Sequence, residues 1–255
     1  MPKFFVSSDI HSAYTPWMNA LNEAGFDEDN EEHIVIVCGD LFDRMDESEQ
    51  VYDWVCYMLQ HNRLIYILGN HESLMTECIE RGYPARHDWS NGTAKSIIDL
   101  APYVENFYDA CGVVYDKITP LFNKAVNYFE TKNYVFVHGW IPIICKDNLP
   151  VYYTYNRKFE FNPDWRNAHF SEWEQARWLN GMEMVHNGFD IEKCVVVGHW
   201  HASWGRMVFN NEPEFGEGAD FSPYYYDDKL IAIDACTAYT GKVNVLVIED
   251  DFLEE

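Results

Sequence analysis

No stretch of this 255-residue sequence comes near the roughly 20 consecutive apolar residues that a membrane-crossing helix requires, so no membrane span is expected. Nor does the chain open with a basic region followed by an apolar segment. Met1-Pro2-Lys3 leads directly into a strand-like run, which argues against a secretory signal. The seven cysteines, at 38, 56, 78, 111, 145, 194 and 236, are scattered, odd in number and never spaced CxxC. That pattern speaks against a disulfide framework and a zinc knuckle, and a reducing, cytoplasmic compartment is the expectation. Cys38 and Cys194 flank strand-like runs and read as small buried hydrophobes. Basic residues are scarce: 18 Lys and Arg stand against 42 Asp and Glu, a formal charge of −24. A field of that sign repels a nucleic-acid backbone, so no nucleic-acid partner is expected unless bound cations invert it locally. Most of the carboxylates are read as a solvated acidic surface. Internal repeats and low-complexity linkers are missing too, which favours one domain over residues 1–255.

What the chain does contain is one arrangement used again and again. Ile34-Val35-Ile36-Val37, a β-branched run that reads as a buried strand, ends in Cys38-Gly39-Asp40-Leu41-Phe42-Asp43-Arg44. Phe4-Phe5-Val6 leads to Asp9 and His11, and Leu64–Leu68 leads to Gly69-Asn70-His71-Glu72. Tyr134–Val137 leads to His138-Gly139, and Val195–Val197 to Gly198-His199-Trp200-His201. Each run stops at Asp, Asn or His. In open α/β sheets the ligand crevice lies beyond the carboxyl ends of the strands, so these side chains are expected to converge in one place.

The first third alternates strand with helix. Helices are expected over about 15–24, where Pro16 suits a first turn, over 48–61, and from His71 onward. In the second of these Val51, Trp54, Val55, Met58 and Leu59 recur at helical spacing. Such alternation argues for parallel βαβ units. Farther on, helices are expected over 93–100, about 111–130 and 172–186, with a short strand at 207–209 and a loop over 212–228. Residues 230–234 and 243–248 are expected to form a terminal hairpin-like pair around Thr240-Gly241-Lys242. Residues 140–171 are rich in aromatics without a clear period. They are read as a covering segment with a small apolar core, the alternative being a cap that stacks on a substrate ring.

Asp9 and His11 stand two apart in an extended run, on the same side, so both can bind one ion. Asp40 supplies two oxygens, enough to bridge two cations. Asn70 offers a carbonyl oxygen, and His138, His199 and His201 offer imidazole nitrogens. A set of His, Asp and Asn without thiolate suits manganese, iron or zinc better than calcium. Two such ions can clamp a phosphoryl group for in-line attack. A lone Gly-Asp is ordinarily a turn, and a lone strand-end His is ordinarily a structural residue. Five such segments at strand exits point instead to a two-metal hydrolytic site. His33, His61, His87, His169 and His186 stand outside these motifs and are read as surface or packing residues.

Ser8-Asp9-Ile10-His11, Gly39-Asp40-Leu41-Phe42-Asp43-Arg44, Gly69-Asn70-His71-Glu72, Val137-His138-Gly139 and Gly198-His199-Trp200-His201 resemble, in order, the motifs of the calcineurin-like metallophosphoesterases. Among these the chain is most similar to the serine/threonine phosphoprotein phosphatase branch, with its small phage and bacterial members. The resemblance runs from residue 3 to about 248, takes in Ile233-Asp234-Ala235-Cys236, and is looser over the last third. It implies an α/β fold of two mixed β-sheets packed as a sandwich with flanking helices. It implies one metal held by Asp9, His11 and Asp40, and another held by Asp40, Asn70, His138 and His199. The ions would be divalent, manganese first and iron or zinc as alternatives. His71 would be the general acid, oriented by Asp43, and Arg44 would bind phosphate through its planar fork.

Three departures stand out. Ser12 and Met45 occupy positions where that branch has glycine, so a different loop shape is expected. His201 is a second histidine that phosphodiesterase branches carry, and it is a candidate extra ligand. The second phosphate-binding arginine of the family has no clean counterpart; Arg177, beside Trp178, is the nearest candidate and Arg206 the other. The expected activity is hydrolysis of phosphate monoesters (phosphoserine, phosphothreonine or small phosphoesters) by a hydroxide bridging the two metals. The partners would then be a phosphorylated protein or a small phosphoester. A symmetrical dinucleoside tetraphosphatase or phosphodiesterase is the alternative that His201 and the aromatic segment favour. A metal scaffold that recognises phosphate without hydrolysing it would be expected to lack His71, Asp40 or Arg44, and all three are present.

Overall fold

The β-branched runs that end in Asp, Asn or His form strands of two sheets in the computed structural model, which describes residues 2–145 and 159–253. In chain order the strands are β1 (Lys3–Ser7), β2 (His33–Cys38), β3 (Leu64–Ile67), β4 (Phe129–Glu130), β5 (Tyr134–Phe136) and β6 (Ile143–Cys145). They continue as β7 (Phe159–Phe161), β8 (Cys194–Val197), β9 (Tyr224–Tyr226), β10 (Leu230–Ala232) and β11 (Leu246–Glu249). One sheet has the order β11-β1-β2-β3 and the other β4-β5-β8-β10-β9, while β6 and β7 pair as a ribbon. β1, β2 and β3 run parallel, as do β5, β8 and β10; β11, β4 and β9 are antiparallel edges.

Period two divides each central strand between two layers. Phe4, Val6, Ile36, Cys38 and Ile67 from one sheet meet Phe136, Val196, Ile231 and Ile233 from the other in an apolar layer between the sheets. Phe5, Val35, Val37 and Tyr66 face outward onto α1 (Tyr14–Glu23), α2 (Ser48–Gln60) and α3 (Asn70–Arg81). After α4 (Arg86–Asn91), α5 (Thr93–Leu100) and α6 (Phe107–Phe122) complete that cover. Val135, Val137, Val195 and Val197 face α7 (Phe170–Ala176), α8 (Gly181–His186) and α9 (Ala202–Gly205) on the far side. Burial on both faces is why these strands read as unbroken apolar runs. The two mixed sheets between helical layers are the architecture expected. Among the described residues no helix is long and apolar enough to cross a membrane.

The later chain departs from expectation. The helix expected over 111–130 ends at Phe122, and residues 129–130 are β4. The one expected over 172–186 is α7 and α8, divided where the Asn180 side chain caps α8 by accepting from the Glu183 N–H. Residues 207–209 belong to a wide helical turn, Arg206–Asn210, and β9 lies inside the expected loop. The terminal pair is no hairpin: β10 joins β8 and β11 joins β1, in different sheets. An alternating pattern marks a strand but does not say which sheet will accept it. Cys38 is buried and Cys194 half-buried. In the aromatic segment Trp140 and Trp165 are buried in the layer outside the second sheet, while Tyr152, Tyr153 and Tyr155 lie outside the described residues.

Candidate active site

The exits of β1, β2, β3, β8 and β10 open on one cavity of about 340 Å³, lined by Asp9, His11, Asp40, Arg44, Asn70, His71, His199 and Asp234 among others. His138, beyond β5, lies behind its wall and is buried. His11 Nδ1 lies 3.1 Å from the Phe42 carbonyl, to which the neutral ring donates. Its Nε2 then faces Asp9 Oδ1 and Asp40 Oδ2, at 3.9 Å from each. His138 likewise donates from Nδ1 to the Cys38 carbonyl (2.7 Å), leaving Nε2 at 2.8 Å from Asn70 Oδ1 and 3.4 Å from Asp40 Oδ1. With Nδ1 as the nitrogen that donates to the carbonyl, Nε2 turns its lone pair toward side-chain oxygens in both places. Converging lone pairs of this kind are the complement of a cation.

Among the described residues, two groups of side-chain atoms of metal-binding type lie within 4.8 Å of one another: His11, Asp40 and His71, and Asp40, His138 and His199. Asp40 is in both. Burial pushes its carboxyl well above the usual range, and the charges of Asp9 and Glu72 push the same way. Burial, helped by His71, drives His11 down to about 3. Burial and His138 hold His199 well below its ordinary value. Neutral imidazoles are ready ligands, and buried carboxylates crowded together call for a cation beside them. The donor set therefore fits divalent metal.

His71 opens α3. Its Nδ1 lies 2.7 Å from Asp43 Oδ2, and its Nε2 lies 3.4 Å from the Arg44 guanidinium and 3.9 Å from Asp40 Oδ2. Asp43 Oδ2 also accepts from Thr93 Oγ1 (2.6 Å). Burial pushes Asp43 up to about 7 against the pull of the Thr93 hydrogen bond and the Arg44 charge. Burial and Arg44 push His71 down to about 4. Two buried groups in such contact exchange protons as a pair. With Nδ1 held on Asp43, Nε2 is the nitrogen presented to the cavity.

The loops that carry these groups are tied together from below. Glu72 Oε2 accepts from the N–H groups of Gly69 (2.6 Å) and Asp40 (3.1 Å), and Oε1 accepts from that of Leu41 (2.9 Å). Across the sheets, the His199 N–H donates to Asp9 Oδ2 (2.9 Å). Asp9, His11, Ser12, Asp40, Asp43, Arg44 and His199 all have φ between 51° and 78°, a region uncommon for residues with a side chain. Such strain persists where surrounding contacts over-determine it, as at functional sites. Ser12, one of the two residues in a glycine position, adopts φ 59° with its Oγ bonded to Ser48 Oγ (2.9 Å). At Ser12 the backbone thus enters the left-handed region that favours glycine.

His201 lines the cavity, but its Nδ1 accepts from the Trp204 N–H (3.2 Å) and its Nε2 faces Glu214 at 3.5 Å. It belongs to neither ligand group. Arg177 lies elsewhere. It is buried, donates to Ser73 Oγ (3.1 Å) and Asn127 Oδ1 (2.9 Å), and lines a separate cavity with Glu72 and Ser73. Arg206 donates to the carbonyls of Ser222 and Pro223. The sequence motifs leave Asp234 unassigned, yet it is buried, lines the cavity and accepts from the Cys236 N–H (2.7 Å). The signal was present: residues 230–234 are another apolar run ending in a carboxylate. Thr93 carries no such signal.

The family model for calcineurin-like phosphoesterases matches residues 2–203. Among solved structures, a protein named provisionally as a diadenosine tetraphosphatase is similar with a TM-score of 0.53 and 12% identity, over 100% of this chain and 97% of that one. The cold-active protein-tyrosine phosphatase of a psychrophilic Shewanella species gives a TM-score of 0.57 and 14% identity, over 98% of this chain and 76% of that one. At such identities the likeness is one of fold. No curated protein matches the sequence.

Proposed function

The chain belongs to the calcineurin-like phosphoesterase family, and we propose that within it the protein is a two-metal phosphatase acting on phosphate monoesters. The observation that carries this reading is the linked set Asp43, His71 and Arg44 at the cavity, with His71 Nε2 3.9 Å from Asp40. Asp9, His11 and Asp40 would hold one ion, and Asp40, Asn70, His138 and His199 the other. Bound there, the ions would supply Lewis acidity toward phosphoryl oxygens and make a water nucleophile more acidic. Manganese suits this oxygen and imidazole set, with iron and zinc as alternatives.

Arg44 presents a planar fork that matches two terminal oxygens of a monoester and stabilises the charge that gathers on them. His71 would act in the protonated form of its pair with Asp43, an imidazolium on a carboxylate: Nδ1–H stays on Asp43, and Nε2–H is delivered to the departing oxygen as the P–O bond breaks. Alkoxides are poor leaving groups and need that proton, so the set suits phosphoserine, phosphothreonine or a small alkyl phosphoester in the cytoplasm. His201 in the cavity wall favours a second reading, hydrolysis of a dinucleoside tetraphosphate or a phosphodiester. A phosphate-recognising scaffold would have no use for an acid poised on a carboxylate.

A panel of alkyl and aryl monoesters, an aryl diester and diadenosine tetraphosphate, run with manganese and with zinc, tests the ranking. Monoesters are expected to give the highest kcat/KM, and preference for the diester or tetraphosphate overturns the proposal. His71→Asn is expected to lower kcat by about 10²–10⁴-fold with metal content kept. Unchanged turnover removes His71 from the acid role.

A further inference from the structure

His71 is held by Asp43, and what holds Asp43 lies 50 residues on, in α5. Asp43 sits at φ 78°, wholly buried. Its Oδ2 takes two donors, His71 Nδ1 at 2.7 Å and Thr93 Oγ1 at 2.6 Å. Its Oδ1 has no hydrogen-bond partner among the described residues. The Asp43 backbone N–H donates to Ser96 Oγ at 2.8 Å. Thr93 and Ser96 stand three apart on α5, so one helix face supplies both contacts, and both are fully buried. Gly92, with φ 89°, packs directly on the Arg44 backbone, where a side chain would collide. A helix cap is no sufficient account of Thr93: the hydroxyl is turned to Asp43, and α5 has no side-chain cap at its N-terminus.

We propose that Thr93 is a positioning residue for proton delivery, its hydroxyl fixing the Asp43 carboxylate so that Asp43 keeps His71 Nε2 aimed at the departing oxygen. The inference rests on the reading of His71 as the acid. A carboxylate with one donor on one oxygen can swing about its Cβ–Cγ bond, and a second donor on that oxygen stops the swing. Removing Thr93 Oγ1 therefore loosens His71 without touching Asp9, His11, Asp40, Asn70, His138 or His199. Leaving groups that need a proton suffer; those that leave as stable anions do not.

Thr93→Val keeps the volume and deletes the donor, whereas Thr93→Ser keeps the donor. With the manganese-loaded enzyme, Thr93→Val is expected to lose about tenfold in kcat/KM on an alkyl phosphate and to stay within about twofold on p-nitrophenyl phosphate. Thr93→Ser is expected to match the unmodified enzyme on both. A metal-free readout accompanies this: the low-field proton resonance that disappears in His71→Asn is expected to shift in Thr93→Val and not in Thr93→Ser. Equal losses on the two substrates, or an unmoved resonance in Thr93→Val, overturn the proposal. If His71→Asn itself loses equally on both substrates, it is the acid reading that fails, and the resonance alone decides whether Thr93 fixes the pair.

Discussion

Glu72→Gln tests whether one carboxylate holds the Asp40 and Asn70 loops in register. Three backbone N–H groups, those of Gly69, Asp40 and Leu41, point at its two oxygens, and the side chain is buried. The amide keeps the shape and one oxygen, which can still receive Gly69 and Asp40. Its NH₂ then meets the Leu41 N–H donor against donor. A hydrogen bond to a charged group contributes about 1.5–3 kcal/mol, and a stranded buried donor costs about 1–3 kcal/mol. Because the lost bond and the stranded donor are partly one effect, a loss of about 3 kcal/mol in unfolding free energy is expected. Asp40 is held at φ 57° by these contacts, so it also drifts from its place between the two ligand groups. Changes to the partners behind metal ligands typically weaken metal binding about 10–100-fold. Urea denaturation of the metal-free chain and calorimetric manganese titration measure the two effects. An unmoved urea midpoint together with unchanged manganese affinity refutes the reasoning.

Asp40→Asn is expected to lower the bound metal at both positions, because one Asp40 oxygen faces His11 and the other His138. Asp9→Asn is expected to spare one ion; equal stoichiometry of the two variants by elemental analysis refutes the shared role. Gly39→Ala places a Cβ 2.6 Å from Gly69 Cα and His138 Nδ1 at φ 82°, and should cost at least about 3 kcal/mol. A thermal midpoint unchanged from the unmodified protein contradicts that. Burial pushes Glu130 up, but hydrogen bonds from Arg166 and Lys193 outweigh it and hold its carboxyl below the usual carboxylate range. A carboxyl depressed in the fold contributes stability above its unfolded pKa and loses it as pH falls through the folded value. Glu130→Gln should therefore cost about 1–2 kcal/mol at neutral pH, Arg166 being half exposed, and progressively less in acid. A difference independent of pH counts against the ion cluster.

Unbroken apolar runs ending in Asp, Asn or His determined by themselves where β1, β2, β3, β5 and β8 lie and which residues stand at their exits. Strand burial and the residue at a strand end are both local in sequence, and the early βαβ alternation is local too. The motifs carried the family for the same reason. Partner choice is not local. The separation of β10 from β11 into different sheets, the closing of Glu72 on three N–H groups and the turning of Arg177 toward Ser73 and Asn127 all depend on what packs alongside. Thr93 is the sharpest case: nothing near it in the chain distinguishes its hydroxyl from that of any buried threonine. Only the packing of α5 against the Asp43–Arg44 turn sets it 2.6 Å from the carboxylate that orients His71.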